Sequence, residues 1–186
     1  LFAFVLFDES GRFISLDYFV SVLIHPLNQY FLFWDIQQAL ITTFFCILLG
    51  LPASYIFVYY KIPGKNFLRQ VLTIPFILPP IVVLMGFIQV FGHGSFINVI
   101  WRELTGFILI DIYNSYEGII LAHVFYNIPV VIRLAEIGWK TIDPDLIGVA
   151  RTLKASKFSI LVKIQIPHLL PVLAAASLLI FIYSFN

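Results

Sequence analysis

Charged side chains are scarce in this chain of 186 residues: they make up 11%, and none falls in residues 36–60, 70–101, 118–132 or 164–186. Soluble domains carry about 25% charge, so uncharged stretches of this length exclude an ordinary soluble fold. Cysteine is almost missing too. Cys46 stands alone in an apolar run, where a thiol serves packing, and no redox compartment follows from it. The chain has no glycine-rich phosphate loop, so it is not expected to bind ATP. It also lacks a His-Glu-x-x-His pair and a nucleophile elbow, which leaves enzyme chemistry without a candidate constellation. Its basic residues sit in short loops without interleaved stacking aromatics, so no nucleic-acid partner is implied.

What the chain does have is apolar length. Hydrophobic residues reach 61% and mean hydropathy is +0.99, the composition of an integral membrane protein. A bilayer core takes about 20 apolar residues per helix, because each backbone group must find its hydrogen bond within the segment. Four crossings fit, near residues 36–60, 71–91, 117–139 and 168–186, with residues 1–7 as the tail of an earlier helix. The chain begins without Met and stops inside an apolar run, so both ends read as cut.

Lys61, Lys65 and Arg69 follow the first full crossing, and Lys140, Arg151, Lys154, Lys157 and Lys163 follow the third. The other loops offer Arg12 and Arg102. Loops rich in Lys and Arg stay inside, so Lys65 and Lys157 are expected to face the cytoplasm, with residues 8–35 and 92–116 outside. Pro63 and Gly64 predict a tight turn, and Pro26 a break ahead of the first span. Pro75, Pro79 and Pro80 remove backbone donors from the second span, which predicts a kink or an unwound turn, serving either packing or a pathway. In the outer loop, Phe96, Ile97, Ile100 and Trp101 repeat at helical spacing and predict a short interfacial helix, with or without a docking partner.

Polar residues inside the third span carry the next expectation. His123, Tyr126 and Asn127 share one helical face ahead of Pro129, and polar groups in lipid turn inward, toward either a pathway or neighbouring helices. With Pro79 and Pro80 they are the candidates for a translocation path. Arg133, Glu136 and Lys140 continue down the helix at spacings that predict an ion-pair ladder.

Residues 142–171 form a basic island between two apolar runs. Asp143-Pro144-Asp145 is a strong helix start: Asp caps free N–H groups, Pro suits the first helical position, and a second carboxylate favours the positive helix end. Leu146, Val149, Ala150 and Leu153 then fall on one face. Ser156 is placed to cap a second short helix carrying Phe158, Leu161 and Val162, and Pro167 marks entry to the last span. The product is a helical hairpin with an apolar ridge of Leu146, Val149, Ala150, Leu153 and Phe158. Spacing alone leaves two roles for it, insertion into a partner or rest on lipid headgroups.

This hairpin resembles the cytoplasmic loop of the membrane-spanning permease subunits of binding-protein-dependent ATP-binding-cassette (ABC) importers. That family carries Glu-Ala-Ala, three residues, Gly, nine residues, then Ile-x-Leu-Pro. Counting back from Ile164-Gln165-Ile166-Pro167 sets Glu-Ala-Ala on Gly148-Val149-Ala150 and Gly on Lys154. Ala150, Ile164 and Pro167 match and Ile166 is conservative, whereas Gly148 lacks the acid and Lys154 the flexible turn residue. The interior from Ala150 and Arg151 to Ser156, the Ala39 to Thr42 opening, Pro63-Gly64, the proline pattern and LAHVFYNIPVVIR at residues 121–133 are similar to the ferric-iron and thiamine branch.

The resemblance implies an all-α polytopic bundle of the type I importer permease kind, one domain over residues 1–186, such as one half of a tandem permease. It implies cytoplasmic ATPase subunits docking on the hairpin, an extracytoplasmic solute-binding protein, and a second permease half or copy in the bilayer, with no cofactor on this chain. Ferric iron is the first expected cargo and thiamine the second, with sulfate, molybdate and polyamines behind. The rival from another class, an ion- or proton-coupled carrier, generally places charged coupling residues near the midplane. Here the acidic residues lie at span ends or in loops. A membrane scaffold fits the composition but leaves the hairpin and prolines unexplained.

Overall fold

A computed structural model describes Val20 and residues 24–92, 94–107 and 115–185. The expectations for residues 1–7 and for Arg12 lie outside this set. The described residues form helices joined by short turns: α1 (Pro26–Tyr59), α2 (Lys65–Ile77), α3 (Pro80–Phe91), α4 (Phe96–Thr105), α5 (Tyr116–Lys140), α6 (Pro144–Thr152), α7 (Lys157–Ile160), a π-helical turn (Leu161–Gln165) and α8 (Ile166–Ser184). Four stretches are long and apolar enough to cross a membrane: Pro26–Tyr59, Ile81–Thr105, Tyr116–Lys140 and Lys157–Ser184.

Helix α1 starts ten residues ahead of the expected span. The break expected at Pro26 is present at His25 (φ −59°, ψ 128°), and Pro26 itself begins the helix, since proline at the first helical position gives up an N–H that had no intrahelical partner. The expected second span is two helices. Leu78 (φ −71°, ψ 145°) and Pro79 (φ −55°, ψ 138°) are extended, because the pyrrolidine rings of Pro79 and Pro80 clash with a helical residue before them. The stretch long enough to cross therefore begins at Ile81, past the prolines, and includes α4. Gly64 turns the chain between α1 and α2 at φ +72°, as the Pro-Gly pair predicts. Ser95 starts α4 by accepting the Asn98 N–H at 3.2 Å, and Ser115 starts α5 by accepting the Gly118 N–H at 3.0 Å.

The core lies where α1, α5 and α8 meet. Cys46, Val124, Val131 and Ile180 fill one layer, and Ala135, Trp139, Leu169 and Leu173 another nearer the loop before α6. Cys46 is fully buried in this packing, its Sγ 3.7 Å from the Val124 carbonyl oxygen. At Gly50 the α1 and α5 backbones approach so closely that an added Cβ would stand 2.7 Å from Val131 Cβ. Close approach through a small residue is how helices pack where lipid offers no hydrophobic drive between them. Polar pins cross the same interfaces: Trp139 Nε1 donates to Ser54 Oγ at 2.9 Å and Gln165 Nε2 to Tyr59 Oη at 3.1 Å.

Of the ladder expected along α5, the Glu136–Lys140 step is present and the Arg133 step is not, and a link between helices is added. Arg69 on α2 binds Glu136 with two contacts, Nη2 to Oε2 at 2.6 Å and Nε to Oε1 at 2.9 Å. Lys140 Nζ stands 3.9 Å from the same carboxylate, and Arg133 makes no ion pair among the described residues. The Arg69 guanidinium also lies 6.0 Å from the centre of the Phe57 ring, so one side chain ties α2 to both α1 and α5.

Candidate functional site

Two regions hold the candidate residues. The first is the hairpin. Asp143 caps α6 through Oδ1, which accepts the Asp145 N–H at 2.9 Å, with Pro144 at the first helical position. The helix ends in a Schellman motif: the Ala155 N–H reaches the Ala150 carbonyl at 3.0 Å and the Lys154 N–H reaches that of Arg151 at 2.9 Å. That motif needs a left-handed residue, and Lys154 supplies it at φ 58°, where the family pattern has Gly. Ser156 then caps α7, its Oγ accepting the Ser159 N–H at 3.1 Å.

Beyond the cap, the structure departs from a free-standing hairpin. Helix α7 runs without interruption into the π-helical turn and α8, so Lys157–Ser184 is one continuous helix and Pro167 lies inside it. The i→i+5 register explains how. The Ile166 N–H bonds to the Leu161 carbonyl, a wide turn that takes up the donor Pro167 lacks. Ile164 is half-buried and Pro167 exposed on this helix.

Most of the expected ridge is presented outward: Leu146 is 51%, Val149 60%, Leu153 77% and Phe158 74% exposed. Ala150 is the exception. At 8% exposure it faces the chain's own interior, so a bulky substitution there would disturb the hairpin before it reached any partner. Gly148, Arg151 and Lys154 are exposed around the ridge, and a Cβ at Gly148 meets nothing within 4 Å.

The second region is the polar face of α5. His123 Nδ1 lies 2.8 Å from Gln38 Nε2 on α1, and the same amide reaches Thr42 Oγ1 at 3.3 Å. With the amide donating, Nδ1 accepts and the ring proton sits on Nε2. Asn127 is 1% exposed; its Nδ2 donates to Ser184 Oγ at 3.2 Å, while its Oδ1 is buried without a partner. Tyr126 Oη stands 3.5 Å from the Phe76 carbonyl, the outer limit of a hydrogen bond.

His123, Tyr126 and Asn127 line a cavity of about 330 Å³ with Ile81 and Tyr183. The face predicted from spacing is thus brought together, and neighbouring helices satisfy much of it. Pro79 stands apart from the lining; it precedes α3, whose first turn supplies Ile81. Gln38 and Ser184 were not among the residues expected here. Their signal was present, as polar side chains within apolar stretches, but pairing them with α5 needed the tertiary fold.

Residues 46–186 match the family described as binding-protein-dependent transport system inner membrane component. Among similar proteins, the molybdate/tungstate transport system permease WtpB of Thermococcus kodakarensis is 26% identical over 86% of this chain and 60% of its own length. The molybdenum transport system permease ModB of Mycobacterium bovis is 28% identical over 89% and 61%. A protein named as the 2-aminoethylphosphonate transport permease PhnU, of Salmonella choleraesuis, is 28% identical over 81% and 54%. The chain therefore spans between half and two-thirds of the length of these relatives. The inward-facing MetNI methionine ABC transporter superposes with a TM-score of 0.59 over 92% of this chain and 73% of that one, at 19% identity, which establishes a shared fold. With its match across both candidate regions, this multi-pass membrane chain belongs to the family of inner-membrane components of binding-protein-dependent transport systems.

Proposed function

We propose that the chain is the permease part of an ATP-driven importer in the cytoplasmic membrane, and that its cargo is an oxyanion delivered by an extracytoplasmic binding protein. The observation that carries the importer reading is the ridge of Leu146, Val149, Leu153 and Phe158, held outward by the Schellman turn at Lys154 and flanked by basic side chains. A soluble partner with an apolar groove and an acidic rim fits that surface. Burying each large side chain supplies roughly 1.5 to 3 kcal/mol before the costs of association. ATP is hydrolysed on that partner, and its movement reaches the bilayer through the helix that begins at Lys157.

The cargo class draws on the relatives, whose names give molybdate, tungstate and 2-aminoethylphosphonate, all oxygen-rich anions. They displace ferric iron and thiamine as first choices. Molybdate stood further down the expectations drawn from the sequence.

The test is copurification of the full-length permease with its ATPase and binding protein. Leu153→Glu and Phe158→Glu alter exposed side chains, so each is expected to release the ATPase while the permease still inserts. Retention of the ATPase by both variants overturns the docking role. The ligand carried by the copurified binding protein decides the cargo: molybdate, tungstate or a phosphonate supports the oxyanion reading, and iron or thiamine overturns it.

A further inference from the structure

Between α2 and α5 runs an open groove of about 920 Å³, separate from the cavity at Asn127, with Arg69, Arg133 and Lys140 among its walls and Glu136 as its one acidic residue. That carboxylate is already committed. Arg69 takes both of its oxygens, at 2.6 and 2.9 Å, and Glu136 is 7% exposed. Lys140, 3.9 Å away and 61% exposed, is at most loosely held by it. Arg133 is exposed and has no ionic or hydrogen-bonded partner among the described residues. Asn66 and Gln70 add side-chain amides to the same groove, likewise without partners among the described residues. Ile77, Pro129 and Ile132 supply apolar wall, which lowers the local dielectric and strengthens any charge placed there.

Three cations against one satisfied carboxylate leave the groove electropositive, with a planar fork of donors at Arg133 and a mobile ammonium at Lys140. We propose that this groove is an oxyanion-binding site, in which Arg133 and Lys140 hold a tetrahedral anion while the Arg69–Glu136 pair keeps α2 and α5 at the spacing the site needs. Two sources share this chemistry, the transported oxyanion and the phosphate of an anionic phospholipid. The cargo source rests on the importer reading; the site itself does not.

The experiment uses the full-length permease in phosphatidylcholine nanodiscs, titrated calorimetrically with sodium molybdate. Wild type is expected to bind saturably. Arg133→Gln and Lys140→Gln are each expected to weaken binding by about tenfold, the scale of one lost charge-assisted hydrogen bond, and Arg133→Lys to recover part of it. The lipid arm is native mass spectrometry from membranes containing phosphatidylglycerol. Retention of that lipid by wild type and its loss in the Gln variants, without molybdate binding, supports the site and assigns it to lipid. Gln variants that bind both probes as strongly as wild type does, or a wild type that binds neither, with normal elution profiles, overturn it. Copurification of the ATPase separates the two readings: a permease that holds its ATPase but binds neither probe removes the groove alone. One that binds the anion and holds no ATPase removes the importer reading and keeps the groove.

Discussion

At Lys154 a side chain with a Cβ occupies backbone space that glycine enters freely, at φ 58°. Left-handed backbone disfavours a non-glycine residue by about 1 kcal/mol, so Lys154→Gly is expected to raise the unfolding midpoint of the purified permease slightly and leave ATPase binding intact. A fall in the midpoint would show that the lysine contributes through its charge instead. Gly50 is the opposite case. A methyl group there meets Val131 Cβ at 2.7 Å, a contact between two helix backbones that neither side chain can relieve by rotating. Gly50→Ala is expected to destabilise by roughly 1 to 3 kcal/mol, read as a lower midpoint and a weaker yield of folded protein. Gly148→Ala serves as the control: its Cβ meets open space, and the change is expected to be neutral or mildly favourable because alanine is the better helix former. The strain at Lys154 was legible in the sequence, since a known loop pattern puts a turn there. Gly50 was not, because tight approach depends on a partner 81 positions away in the chain, Val131.

Helices α2 and α3 owe their separation to two proline rings. Pro79→Ala with Pro80→Ala removes the steric bar and returns two backbone donors, so residues 65–91 are expected to close into one longer helix. Hydrogen exchange at the Ile81 amide, now in the first turn of α3, should then slow by an order of magnitude or more, and transport should fall because Ile81 no longer meets Tyr126 and Tyr183 around their cavity. Unchanged exchange would mean that tertiary packing, not proline, holds the break. Elements with strong local signals were readable ahead of the fold: the Asp143-Pro144 start, the Ser156 cap and the helical repeat that became α4 all formed as helices, though α4 falls within a stretch long enough to cross rather than standing apart as an interfacial helix. The two prolines expected at boundaries both stand at helix starts, with one difference: Pro26 opens α1 after the non-helical His25, whereas Pro167 lies in the first turn of α8, which a π-helical turn joins to α7. Proline marks a missing donor, and whether the chain breaks, starts or widens there depends on who else accepts the slack.

Across the whole molecule, charge should fix the orientation in the bilayer. Cysteines placed at Lys65 and Lys157 are expected to react with impermeant reagent only after the cells are opened, and one at Arg102 in intact cells. Labelling of position 157 from outside would invert the topology. The bundle class was open to reading from composition, because an uncharged stretch in lipid has few alternatives to a helix. The partners of those helices were not, since apolar faces of α1, α5 and α8 look alike in sequence and are told apart by Gly50, Ser54, Trp139 and Ser184 once they meet. One continuous helix, Lys157–Ser184, has 28 residues and therefore a length of about 42 Å at the standard helical rise. Phe158 rides at one end of this shaft and Ser184, holding Asn127, at the other. Tilting such a rod by about 5° about its ridge end displaces the far tip by roughly 4 Å, more than a hydrogen bond's length. The helix thus has the geometry of a lever: a small angular push at its Phe158 end is enough to part Ser184 from Asn127, halfway along α5, and no relay of side chains in between is required.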